Sequence, residues 1–368
     1  MMTPFAVISG IGTCLPPRSV SNDELSLTMD TSDTWIRRRT GIAHRRWVDP
    51  GTSTGDLAVA AGGAALASAR STDVDLLVLA TTTPDRHCPA TAPEVAARIG
   101  LAGVCAFDLS AACSGFVYAL AMASSAISSG AFRGVLVIGA DTYSTIINPR
   151  DRETAVIFGD GAGAVVLRAG TAEESGAVYA TDLGSDGTRS EFFEIPVGGS
   201  RCPDHEQLFP HETRYVTMRG RELYVHAVRR MTDSSRRTLA STGWQAKELG
   251  AFIAHQANQR ILDAVSHNLG IPGDRAISHL AQVGNTAAAS VPLALAHAVT
   301  QQITSAGDKA LLTAFGAGLT WGTVAITWPD ATPIIGEPAP ALSAAAMPPL
   351  APKGCPVMPG GRAARCRI

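Results

Sequence analysis

Cys113, His255 and Asn285 are a thiol, an imidazole and a carboxamide, each standing where an apolar run begins or ends. A thiolate can take an acyl group from an activated ester, and neutral N–H donors can then stabilise charge that appears on a carbonyl oxygen. Cys113 lies in DLSAACSGFVYAL (108–120), where Ser110, Ala111 and Ala112 permit a tight strand-to-helix turn. The free N–H groups and dipole of a helix start favour a thiolate. Taken alone, a cysteine among small residues is more often a packed core thiol. His255 follows the apolar stretch IA in IAHQANQRI (253–261), with Gln256 and Asn258 just beyond. The lip of a strand is where α/β folds hold reactive groups; a hydrogen-bonded structural histidine is the commoner alternative. Asn285 in QVGNTAAASVPLAL (282–295) follows a glycine and precedes a helical run, so it also reads as an ordinary N-cap.

The elements that must position these groups alternate. DLLVLATTT (75–83), GVLVIGAD (134–141) and GAVVLRA (163–169) read as buried strands, and TGDLAVAAGGAALASA (54–69) and the run after Cys113 as helices. Such alternation predicts an α/β fold. The chain also repeats itself. SAACSGFVYALA (110–121) is echoed by TAAASVPLALA (286–296), and FGDGAGAVVL (158–167) by FGAGLTWGTVAI (315–326), in the same order. A long-period echo predicts two duplicated halves, residues 1–170 and 171–330. In this register Cys113 falls against Ala289. The two helix starts then face each other across the duplication axis, which brings Cys113, His255 and Asn285 to one pocket. The first half carries an extra segment, TYSTIINPRDRETAVI (142–157), predicted to be a loop over a site or at a subunit contact. Residues 331–368 are dense in Pro, Ala and Gly without periodicity and predict a disordered tail.

Bulk composition narrows the classes. With 30 Lys and Arg against 32 Asp and Glu, the net charge of −2 offers no basic surplus for nucleic acid. The apolar runs are too short to span a bilayer, and MMTPFAVISGIG has no basic stretch or cleavage site of a secretory signal. The seven cysteines are scattered and lack CxxC pairing, which argues against a disulfide framework or a zinc site and fits a reducing cytoplasm.

DLSAACSGF, AHQANQRI and GNTAAASVP, together with DTSDTWIRRRTGI (30–42), FGDGAGAVVL and AFGAGLTWG (314–322), resemble the β-ketoacyl-acyl-carrier-protein synthase III family of the thiolase superfamily across about residues 5–328. The resemblance implies a five-layered αβαβα fold from two similar halves, working as a homodimer. It implies that Cys113 takes an acyl group from a coenzyme A thioester, and that His255 and Asn285 bind a malonyl thioester carbonyl during decarboxylation. The backbone N–H groups of Cys113 and Ala317 would form the oxyanion hole; Ala317 stands where the family usually has glycine. Trp35, Arg39, Arg152 and Asn258 match positions that hold coenzyme A, and Arg260 matches one that docks an acyl carrier protein. At Cys88 many relatives carry a phenylalanine that reaches across the dimer into the acyl pocket, so a bulkier primer than acetyl is expected here. No metal or redox cofactor is implied. The expected activity is decarboxylative condensation that starts chain assembly, in polyketide or other specialised metabolism. An acyltransferase forming no C–C bond is the alternative on the same scaffold, and retention of Asn285 favours condensation. A non-catalytic dimeric scaffold is the third reading, against which the joint presence of Cys113, His255 and Asn285 speaks.

Overall fold

The structure, a computed structural model, describes residues 3–203 and 210–338. Its strands in chain order are β1 (Phe5–Cys14), β2 (Ser19–Ser21), β3 (His44–Arg46), β4 (Leu76–Ala80), β5 (Cys105–Leu109), β6 (Gly134–Thr142), β7 (Asp160–Gly170), β8 (Val178–Ser185), β9 (Phe193–Glu194), β10 (Thr217–Met218), β11 (Ala251–Ala254), β12 (Lys309–Gly316), β13 (Thr320–Thr327) and β14 (Ile334–Ile335). Its helices are α1 (Asn22–Ser26), α2 (Asp33–Thr40), α3 (Thr54–Ala69), α4 (Ala92–Arg98), α5 (Gly115–Ser128), α6 (Gly220–Thr242), α7 (Gln259–Leu269), α8 (Leu280–Val283) and α9 (Ser290–Thr300).

Two sheets carry the halves. The first runs β14-β1-β7-β6-β4-β5 and the second β8-β13-β12-β11. In the first, β4 pairs parallel with β6, β6 antiparallel with β7, and β7 antiparallel with β1. In the second, β11, β12, β13 and β8 repeat that sequence of parallel, antiparallel and antiparallel pairings. Helices α3 and α4 cover one outer face, α6 and α7 the other, and α5 and α9 fill the layer between the sheets. The result is the αβαβα stack. The middle layer explains why α5 and α9 are apolar almost all round. Each is buried against a sheet on both sides, so Phe116, Val117, Leu120, Val291 and Leu295 all enter one core.

The outer helix α3 starts on a capping box made by Ser53 and Asp56. Its small-residue composition lets it lie directly on β1. A Cβ added at Gly12 would stand 2.2 Å from the Ala61 carbonyl oxygen and 2.3 Å from the Ala65 nitrogen.

The structure revises two expectations. First, Ile334 and Ile335 pair in parallel with Gly12 and Thr13. The Thr332 carbonyl accepts from the Ser68 hydroxyl. Residues 331–338 therefore belong to the fold; β1 would otherwise be an open edge, and two isoleucines supply a strand to cover it. The rest of the expected tail, 339–368, lies outside the described residues. Second, the echo shifts by one residue. Ala112 and Ala287 share a left-handed backbone, with φ of 45° and 47°. Ser114 N–H donates to the Ala111 carbonyl as Ala289 N–H donates to that of Thr286. Cys113 therefore corresponds to Ala288, not Ala289. The apolar helix patterns tolerate either alignment, whereas the strained turn permits one. The FG pairs likewise differ in place: Phe158 precedes β7, while Phe315 lies in β12.

Replacing Gly12 by alanine should push α3 off β1 and cost roughly 1–3 kcal/mol. A lower denaturation midpoint with an unchanged slope in urea is the expected result.

Candidate active site

The reactive turn is built by two close approaches. Cys113 sits in a one-turn 3-10 helix, Ala112–Ser114, that leads into α5. The end of β12 presses against it, so that a Cβ on Gly316 would stand 2.8 Å from the Cys113 nitrogen and 2.9 Å from that of Ser114. Only glycine leaves this space. The turn's own bonds run from Ser114 N–H to Ala111 and from Gly115 N–H to Ala112. They do not use the Cys113 N–H. Ala317 follows Gly316 and is absent from the residues with positive φ, so alanine serves there as well as glycine.

His255 directly follows β11, and its N–H donates to the Thr313 carbonyl on β12 at 2.8 Å. Its Nδ1 lies 2.6 Å from the hydroxyl of Ser290, the first residue of α9. The Ser290 oxygen also accepts from the Gln256 N–H; in the tautomer in which the hydroxyl donates to Nδ1, the ring proton resides on Nε2. Burial pulls His255 down to about 3, which keeps the ring neutral. Asn285 Oδ1 accepts from the Ala287 N–H at 2.9 Å, which leaves the amide NH₂ as the free donor. The Asn285 backbone is clamped in turn: its N–H donates to Ile157 and its carbonyl accepts from Gly159. The inserted segment 142–157 of the first half thus holds an active-site residue of the second. Buried Arg45 anchors that segment, donating to the carbonyls of Val20 and Val156 and to the Asn22 side chain.

Cys113, His255 and Asn285 line one cavity of about 850 Å³, with Gly316 and Ala317. Trp35, Arg39, Arg152, Asn258 and Arg260 line it too, from α2, the inserted segment and the start of α7. The Arg39 and Arg152 guanidiniums lie 4.6 and 5.3 Å from the Trp35 ring centre. Asn258 also has a structural role: its Oδ1 caps α7 through the Arg260 N–H and its Nδ2 donates to the Arg39 carbonyl, which ties it to Arg39 beside the cavity that both line. Cys88 is exposed and does not line the cavity of its own chain. Its loop is tied to β5 instead, because Asp108 accepts from the N–H groups of Thr91 and Ala92.

One sequence expectation reverses. Burial, reinforced by the Asp141 carboxylate, pushes the Cys113 thiol far above its ordinary value, and the local N–H offsets little of this. Desolvation is the leading influence because the turn is packed against the end of β12 at Gly316 and against the Ala287–Ala289 turn. The neutral thiol is the favoured form of Cys113.

Sequence reasoning missed Ser290, Asp141, Arg45 and the apolar wall of Ile157, Phe158, Phe193, Leu223 and Met231. Ser290 carried a signal, a lone hydroxyl among the alanines of TAAASVP; Phe193 and Leu223 carried none, since they reach the cavity from distant segments.

Comparisons with known proteins assign the chain to a family. Residues 107–187 match the 3-oxoacyl-[acyl-carrier-protein] synthase III family and residues 239–328 its C-terminal domain. A β-ketoacyl-[acyl-carrier-protein] synthase III of Streptomyces coelicolor is 54% identical over 329 residues, covering 89% of this chain and 96% of the relative. The chain belongs to the β-ketoacyl-acyl-carrier-protein synthase III family. A relative of the same name from Pseudomonas aeruginosa is 52% identical over 90% of this chain and 99% of its own. The crystal structure of 3-oxoacyl-(acyl carrier protein) synthase III from Pseudomonas aeruginosa superposes with a TM-score of 0.84 at 50% identity, covering 89% of this chain and all of that one. The priming β-ketosynthase of a polyketide biosynthetic pathway superposes with a TM-score of 0.83 at 34% identity, over 89% and 98%. The chain has the thiolase-like αβαβα fold and is a condensing transferase, which sets aside the acyltransferase alternative.

The depressed His255 ionisation carries a sign. Its folded value lies below the unfolded one, so between about pH 3 and 6.5 the unfolded chain binds a proton that the folded chain refuses. Stability therefore falls as pH drops through this window, by about 2 kcal/mol at pH 5 from His255. His279, held at about 4 by burial and by His297, adds to the slope. His255→Gln should remove the His255 share, read from urea unfolding at pH 7 and pH 5.

Proposed function

We propose that the protein starts acyl-chain assembly by loading an acyl group from coenzyme A on Cys113 and condensing it with a malonyl group on an acyl carrier protein. The observation that carries this reading is the convergence of the Cys113 turn, neutral His255 and the free Asn285 amide on one cavity. The acyl carbonyl sits between the N–H groups of Cys113 and Ala317. The sulfur attacks, a thioester forms on Cys113, and the thiol proton leaves with the coenzyme A sulfur. A malonyl thioester then loses CO₂, and the enolate oxygen is stabilised by His255 Nε2–H and the Asn285 NH₂. The enolate carbon attacks the acyl group, releasing Cys113, which regains a proton. Neutral donors suit this step, because charge develops on the thioester oxygen and a fixed cation would already favour the malonyl carboxylate in the ground state. The reaction needs no metal or redox cofactor, and a reducing cytoplasm suits its free thiol.

Trp35 with Arg39 and Arg152 offers a stacking surface and two cations for the adenine and phosphates of coenzyme A. Arg260 at the rim, with Arg221 and the nearby Arg219, offers charge for an acidic carrier protein. A homodimer is proposed along β5, which ends its sheet with Phe107 41% exposed and Met122 of α5 48% exposed. Asp108 on that strand holds the Cys88 loop, so such a dimer brings Cys88 towards the partner's cavity. A cysteine there leaves room for a primer larger than acetyl, as in starter synthesis for a specialised pathway.

Intact-mass measurement after incubation with a panel of acyl-CoA primers should show one adduct, lost in Cys113→Ala. No Cys113-dependent adduct with any primer would sink the assignment. Asn285→Asp should lower CO₂ release from malonyl-carrier protein by about a hundredfold, while acylation falls far less. Equal losses in both steps would contradict the role given to Asn285. Cys88→Phe should narrow the accepted panel towards acetyl-CoA; an unchanged panel would place Cys88 away from the acyl pocket.

A further inference from the structure

Asp141 is a fully buried carboxylate near the end of β6. Its Oδ1 accepts from the Thr82 N–H at 2.7 Å and, at 3.2 Å, from the Thr83 N–H and the hydroxyls of Thr81 and Thr83. Its Oδ2 accepts from the Ala288 N–H at 3.0 Å. Ala288 is the counterpart of Cys113 in the duplicated turn, and the end of β6 meets that turn as the end of β12 meets the Cys113 turn. On one side of the duplication the strand end carries Gly316 and leaves the N–H free for substrate. On the other it carries Asp141, whose carboxylate takes the N–H up.

We propose that Asp141 is a positioning residue for the condensation step: its carboxylate fills the second half's counterpart of the oxyanion hole and, through the Ala288 N–H, fixes the turn that aims Asn285. The link is short. Asn285 Oδ1 accepts from Ala287 N–H, the peptide next to the one that Asp141 holds. Asn285 keeps its NH₂ directed at substrate only while that turn stays in its left-handed form at Ala287. This inference rests on the condensing-enzyme reading.

The charge of Asp141 has a second effect that geometry alone does not. Burial pushes Asp141 up to about 6, with all its hydrogen bonds opposing, so it is mainly ionised at neutral pH. The titratable groups that feel it are Cys113 and Tyr143, both of which it raises; Thr81, Thr82, Thr83 and Ala288 contribute neutral donors. Asp141 therefore also helps to hold Cys113 as a thiol.

The test uses the full chain carrying Asp141→Asn. An amide cannot accept from the Thr82, Thr83 and Ala288 N–H groups together, and it carries no charge. CO₂ release from malonyl-carrier protein should fall about tenfold or more, with acylation of Cys113 falling less. Alkylation of Cys113 by iodoacetamide at pH 8, read by peptide mass, should rise about threefold or more. Cys14, buried under α3 in β1, reports loosening of the fold and should stay unlabelled. Unchanged CO₂ release and unchanged Cys113 alkylation would overturn the proposal, as would parallel losses in both steps with Cys14 labelled. Thr81→Val keeps the charge and removes one donor. It should lower CO₂ release relative to acylation without raising Cys113 alkylation, and an unchanged ratio would also overturn the proposal if Asp141→Asn does not fold. Wild-type enzyme that is neither acylated nor releases CO₂ would instead refute the condensing reading itself.

Discussion

Two left-handed alanines, Ala112 and Ala287, hold the centre of the molecule. Each forces a sharp entry into a middle-layer helix, and the two turns pack on each other where the halves meet. A non-glycine residue in this conformation costs on the order of 1 kcal/mol. Here the cost is offset because both turns are packed tightly against strands: Gly316 at the end of β12 on one side and Gly139 within β6 on the other, where a Cβ would stand 2.5 Å from the Ala288 carbonyl oxygen. Everything in the site follows from this back-to-back arrangement. It puts Cys113 at the start of one buried helix, Asn285 beside the start of the other, and Ser290 under His255.

Symmetry and its breaking then divide the labour. Both halves offer a strained turn and a strand end, but only the first turn carries a thiol and only the second strand end leaves an open N–H. The long connection between β6 and β7 has become a wall and clamp, whereas Ala317, Gly318 and Leu319 suffice between β12 and β13. A second set of polar contacts runs from Arg45 through Val156 to Ile157 and Asn285. It ties the N-terminal segment to the site, so residues more than a hundred positions apart share one register.

The electrostatics favour a reaction driven by neutral donors. Cys113, His255 and Asp141 are all buried, and in each case desolvation is the leading influence. A neutral imidazole and a neutral thiol are the cheap states of such a site.

Cys113, His255 and Asn285 were nominated by the ordered motifs that carry them, since each taken alone reads more simply as a core thiol, a structural histidine and an N-cap; what local sequence did show was a small-residue turn leading into an apolar helix. That pattern recurs in both halves. The limits of α3, Thr54–Ala69, were legible as well, because its cap and its alanine-rich face are local. The protonation of Cys113 was not: a helix start argues for a thiolate, and only the packing of Gly316 and the Ala287–Ala289 turn against it shows how deeply the thiol is buried. Nor was the true register of the echo, which depends on backbone torsions at Ala112 and Ala287. That Asn258 also caps α7 and holds the Arg39 backbone was not legible either, since Arg39 reaches it only in three dimensions. Residue types in the ordered motifs were thus enough to nominate the candidate groups. Which of them are charged, which are free to bind and which merely hold the others was decided by tertiary contacts, because burial and hydrogen-bond occupancy belong to the space around a residue and not to its neighbours in the chain.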